Sequence, residues 1–73
     1  MADTKVVSEV TGSVWKVLVA VGDSVEADTP VLLIESMKME IPVLAPDSGT
    51  VTEILVAVGD PISEGQVVVA LKT

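Results

Sequence analysis

The chain has no cysteine, histidine, tyrosine, phenylalanine or arginine, and Trp15 is its single aromatic residue. Lack of cysteine excludes both a disulfide and a Cys-based zinc site as a means of holding a small chain together. Lack of histidine and cysteine removes the commonest general base, the commonest metal ligand and the thiolate nucleophile, leaving carboxylates, hydroxyls and four lysines. Catalysis by this chain alone is therefore not expected. Four lysines against 11 acids give a net charge of −7. A binder of the nucleic-acid backbone needs clustered cations to displace counterions, so nucleic acid is not an expected partner. Long apolar runs are missing too. Val31 to Ile34 and Val67 to Leu71 are far shorter than the roughly 20 residues of a membrane span, and no apolar export region follows the opening Met-Ala-Asp-Thr-Lys. The expectation is a soluble cytoplasmic protein, monomeric by itself, without a membrane partner.

The 73 residues are 49% apolar, and valine is the commonest type, which points to strands. That length allows one small domain, taken as residues 1–73. The chain repeats itself once: a shift of 37 positions aligns Gly12 to Glu35 with Gly49 to Lys72, and 9 of the 24 pairs are identical. Six are consecutive, Leu18-Val19-Ala20-Val21-Gly22-Asp23 and Leu55-Val56-Ala57-Val58-Gly59-Asp60. Each half reads as a strand opened by Gly12 or Gly49, a Gly-Asp turn, a short strand at Val25 or Ile62, a turn, and another strand. Earlier strands near Lys5 to Val10 and Ile41 to Leu44 bring the count to about four per half. Neither half can bury its own apolar face, so the two should pack on each other as an all-β sandwich or flattened barrel of two four-stranded antiparallel sheets with a pseudo-two-fold.

The inward positions of the long strands are expected at Val14, Val17, Val19 and Val21, and at Val51, Ile54, Val56 and Val58. The step from 14 to 17 breaks the period of two, which a β-bulge near Trp15-Lys16, and again near Thr52-Glu53, would reconcile. Trp15 then stands at an irregular position, either as a surface-packing residue or with a binding role. Pro30, Pro42, Pro46 and Pro61 suit strand starts, edges and turns, where a missing N–H costs least.

One reversal lacks turn chemistry. Ser36-Met37-Lys38-Met39-Glu40 joins two strands with no Gly, Asn or Asp. A two-residue hairpin turn there requires left-handed backbone at Met37 and Lys38 and accepts local strain, and such violations mark candidate functional sites. Alternatively, a wider loop lets Met37 and Met39 plug the end of the core.

The stretch Glu35-Ser36-Met37-Lys38-Met39-Glu40-Ile41-Pro42 closely resembles the biotin attachment motif of biotin carboxyl carrier domains, a lysine between two methionines after a small residue. The resemblance extends over nearly the whole chain through Gly22-Asp23, Ala45-Pro46, Gly49-Thr50-Val51, Gly59-Asp60 and Gly65. It departs from the family at Glu9-Val10-Thr11-Gly12, which lacks a common proline, and at Asp28, where the family often has glycine. Asp tolerates the left-handed turn that such a glycine serves. The resemblance implies a biotinyl/lipoyl barrel-sandwich with the lysine exposed on a hairpin where the halves join.

By the same resemblance Lys38 is the biotin attachment site, and Met37, Met39 and Glu35 serve recognition by a biotin protein ligase. Acylation takes the neutral form of the amine, which has to be generated in the ligase site. The implied partners are that ligase, a biotin carboxylase that loads a carboxyl group using ATP and bicarbonate, and a carboxyltransferase that passes it to an acceptor, an acyl-CoA, as in fatty acid metabolism. Two other readings are a lipoyl carrier domain, whose family usually has an acidic residue before the lysine and a small one after it, and an unmodified acidic binding module with the carrier fold.

Overall fold

The computed structural model describes residues 3–73, and it contains strands and turns without a helix among them. Eight strands follow in order: β1 (Asp3–Val7), β2 (Gly12–Val17), β3 (Ser24–Val25), β4 (Pro30–Ser36), β5 (Met39–Leu44), β6 (Gly49–Ile54), β7 (Pro61–Ile62) and β8 (Val67–Lys72). They form two four-stranded antiparallel sheets, β1-β8-β6-β3 and β5-β4-β2-β7. A shift of 37 residues carries β1 to β4 onto β5 to β8 and turns the first sheet order into the second. The match extends to register: Asp3↔Lys72 and Thr4↔Leu71 in one sheet correspond to Glu40↔Glu35 and Ile41↔Ile34 in the other.

The expected all-β architecture and pseudo-two-fold are therefore present, but the halves interlock instead of packing face to face. Each sheet takes two strands from each half. Strands β3 and β7 are two residues long and find ladder partners only on β6 and β2 of the opposite half. Hydrogen bonds between the halves repeat the symmetry. The Gly22 N–H donates to the Val51 carbonyl at 2.8 Å and the Gly59 N–H to the Val14 carbonyl at 2.8 Å. Gly22 and Gly59, at φ 97 and 94, supply the left-handed step of the two Gly-Asp turns. The following carboxylates, Asp23 and Asp60, each accept from the N–H three residues back, Ala20 and Ala57, at 2.9 Å.

Two expectations about strand limits need correction. The first strand is Asp3–Val7, not Lys5 to Val10: the buried Ser8 still donates its N–H to the Gln66 carbonyl at 2.9 Å, but its hydroxyl donates to the Val10 carbonyl at 2.7 Å as the chain turns toward the other sheet. The long strands end at Val17 and Ile54, so Val21 and Val58, expected inside, are 63% and 64% exposed. Alternation continues into these loops, where Val19 and Val56 still pack against the core. Both expected bulges are present, with the register shifting between Val14 and Lys16 and between Val51 and Glu53. A second symmetric pair of shifts, at Val31 and Val68, lets Val31 and Leu32, and Val68 and Val69, all turn inward. The core between the sheets is wholly aliphatic, built on Val6, Val14, Leu32, Ile34, Val51, Ile62, Val69 and Leu71. Prolines 30 and 61 begin strands and Pro42 lies on the edge strand β5, as expected.

Candidate functional site

Strands β4 and β5 pair through Ile34↔Ile41, Glu35↔Glu40 and Ser36↔Met39, which leaves Met37 and Lys38 as a two-residue turn. Their φ values are 51 and 64, the left-handed pair that a type I′ hairpin requires and that Asn-Gly would normally supply. Side chains with a Cβ are disfavoured there by roughly 1–2 kcal/mol each. The sequence-expected tight turn is thus formed, with its strain. The alternative of a wider loop with methionines plugging the core is excluded by exposure: Met37 is 92% and Met39 64% exposed.

A further local rule is broken one pair below the turn. Glu35 and Glu40, both exposed, stand directly opposite each other on the same face, and like charges in that relation destabilise a sheet. The symmetric pair at the other end of the molecule is Asp3 with Lys72, of opposite charge. The backbone therefore does not demand two acids at this position.

Beneath the hairpin two hydrogen bonds and one close backbone approach tie β4 and the loops beside it to the start of β2. The Ser36 hydroxyl donates to the Thr11 carbonyl at 2.8 Å, and the Glu64 N–H donates to the Thr11 hydroxyl at 3.2 Å. A Cβ at Gly12 would collide with the Glu35 carbonyl oxygen and come within 2.8 Å of Ile34 Cγ2, so only glycine lets β2 approach β4 this closely. Thr11, Gly12 and Glu64 are the supporting residues that the sequence did not reveal. Their partners lie 25 and 53 positions away for the two side-chain bonds, and no local pattern reports such pairs.

The structure thus brings Lys38, Met37, Met39 and Glu35 together on one exposed tip. A primary amine there, on a flexible stem above a fixed turn, fits covalent attachment of a carboxylic acid as an amide. Among the described residues no group of His, Cys, Asp or Glu is placed to hold a metal ion. Trp15 lies at the β2 bulge, 46% exposed.

Residues 4–71 match the biotin/lipoyl family, described as "Biotin-requiring enzyme". The biotin/lipoyl attachment protein of Bacillus subtilis is 44% identical over 63 residues, covering 86% of each chain. The crystal structure of the Kluyveromyces lactis urea carboxylase superposes with a TM-score of 0.93 at 42% identity, covering 99% of this chain and 6% of that one. A single-chain, multi-domain long-chain acyl-CoA carboxylase gives a TM-score of 0.85 at 25% identity, covering 97% of this chain and 7% of that one.

Proposed function

Since this chain belongs to the biotin/lipoyl attachment family, we propose that it is a biotin carboxyl carrier, biotinylated on Lys38 and without catalytic activity of its own. The observation that carries the reading is the Met37-Lys38 turn: an amine on a strained two-residue hairpin between exposed methionines, at a position where the fold would accept Asn-Gly. In the acylation step the Lys38 ammonium first gives up one proton to the ligase site; an amide bond then forms between Nζ and the carboxyl carbon of biotin as the bond from that carbon to its activating group breaks, and the second amine proton is released with that group. The net charge of the chain goes from −7 to −8. Met37, Met39 and Glu35 flank the amine and serve recognition by the ligase.

When attached, biotin supplies the nitrogen that accepts and releases a carboxyl group. The chain's own contribution is position and reach. The lysine stem and side arm span on the order of 10–15 Å from covalent bond lengths, while the Ser36–Thr11 hydrogen bond and the close contact at Gly12 hold the base still. A separate biotin carboxylase and carboxyltransferase supply the catalytic groups. We weigh two acceptors: an acyl-CoA, supported by the likeness to an acyl-CoA carboxylase at 25% identity, and urea, supported by the higher identity, 42%, to a urea carboxylase. The test is transfer of labelled bicarbonate. The biotinylated protein should acquire label only with ATP and the biotin carboxylase of its host, then lose it to one of the two acceptors when the carboxyltransferase is added. Label acquired without the carboxylase, or never acquired with any carboxylase of the host, refutes the reading.

A further inference from the structure

The pseudo-two-fold provides an internal control for surface chemistry. Equivalent positions on the outer faces of the two sheets share one backbone, so a difference between them is not required by the fold. In the β5-β4-β2-β7 sheet the bulge at Trp15 and Lys16 faces Leu33, which pairs on its other side with Pro42. The same positions of the other sheet hold Thr52 and Glu53, Ala70, and Lys5. There the Thr52 hydroxyl donates to the Ala70 carbonyl at 3.2 Å and the row is polar. In the lysine-bearing sheet the row holds one charge, the exposed Lys16, beside an accessible apolar strip: Trp15 is 46% exposed, Pro42 is exposed and Leu33 is half-buried. Leu44, 44% exposed, extends the strip on one side. Glu35 and Glu40 border it on the side of the hairpin.

We propose that this face, centred on Trp15, Leu33 and Pro42, is the docking surface for the ligase that acylates Lys38. The inference rests on the reading of Lys38 as the attachment site. Size decides that the contact must spread beyond the turn. A specific interface takes about 800 Å² from each partner, a disc of roughly 16 Å radius, whereas Leu33 lies about 13 Å from Met37 at the rise of a strand. Reach decides which partner needs the face most. The bare amine extends only about 6 Å from its backbone, so the ligase has to hold the body of the domain, while later partners meet an arm lengthened by biotin. Pro42 and Leu44 also line a cleft of about 340 Å³ running along β5 opposite Val7 and Val10, which gives the strip relief for an inserted side chain. The complementary ligase surface is an apolar recess with basic groups where Glu35 and Glu40 arrive.

The test replaces each residue with its counterpart from the other sheet: Trp15→Thr, Leu33→Ala and Pro42→Lys, singly and together, with Thr52→Ala on the opposite face as control. Initial rates of biotinylation by the biotin protein ligase of the host are measured against carrier concentration. A rise in KM of about tenfold for Trp15→Thr, larger for the triple variant, with kcat within about twofold, is expected for loss of an aromatic anchor. In addition, the single indole N–H resonance of Trp15 in the Lys38→Arg carrier should shift or broaden when ligase is added. An unchanged KM in folded Trp15→Thr, or an unperturbed indole signal, overturns the proposal. So does a normal ligation rate with failure in the carboxylase reaction, which would assign the face to a later partner. If the triple variant melts early, the single Trp15→Thr variant and the indole resonance decide. A wild-type chain that is never acylated on Lys38 removes the underlying reading as well.

Discussion

Replacing Met37-Lys38 by Asn-Gly should make the protein more stable while abolishing attachment. Both residues occupy left-handed backbone, φ 51 and 64, and both are exposed, so the replacement discards no core contact. Each Cβ-bearing residue there costs roughly 1–2 kcal/mol that glycine escapes and asparagine partly escapes. Glycine returns about 0.5–1 kcal/mol of that through the greater freedom of the unfolded chain. The balance is a gain of about 1–2 kcal/mol. For a domain of this size each kcal/mol moves the melting temperature by about 4–8 °C, so a rise on the order of 4–16 °C is expected by calorimetry, with a matching shift of the urea midpoint at constant m. An unchanged or lowered melting temperature would show that the turn is not under strain and that its departure from turn chemistry says nothing about function.

Other outcomes follow from the broken symmetry. Glu40→Lys, which gives the pair opposite charges as Asp3 and Lys72 have them but with the signs exchanged, should stabilise the fold by about 0.2–1 kcal/mol and slow ligation, as read from melts and initial rates. Gly12→Ala and Gly49→Ala introduce a Cβ against the Glu35 and Lys72 carbonyl oxygens respectively. Each should destabilise by about 1–3 kcal/mol in a urea titration. Only Gly12→Ala, which presses on the hairpin, should also impair ligation measured at a temperature where both remain folded. Cleavage between Met39 and Glu40 should leave neither fragment folded, because each sheet needs two strands from each half. Native-like amide dispersion in an isolated fragment would contradict the interlocked topology.

Much of this architecture was legible because the chain states it twice. The six-residue identity located both Gly-Asp turns, the Val14–Val17 and Val51–Ile54 steps located two bulges, and the missing turn residues at Met37 and Lys38 located the tip. Interlocking was not legible, since a strand of two residues such as Ser24–Val25 carries no signal of which half it pairs with. The ends of β2 and β6 were misplaced because Val19 and Val21, like Val56 and Val58, prolong the alternation into a loop whose second valine faces solvent. The bulges at Val31 and Val68 were hidden inside unbroken aliphatic runs, where every residue suits burial and no phase can be read. At the tip, the lysine and its methionines were readable, but the opposition of Glu35 and Glu40 exists only once the register is known.

The most direct measurement is intact-mass and peptide-mapped mass spectrometry of the protein from its own cell, alongside Lys38→Arg expressed in the same way. One biotinyl group per chain, confined to the peptide containing Lys38 and absent from a folded Lys38→Arg variant, is the expected result. A lipoyl group on Lys38, an acyl group on Lys5, Lys16 or Lys72, or an unmodified chain in cells that biotinylate other carriers would contradict the account.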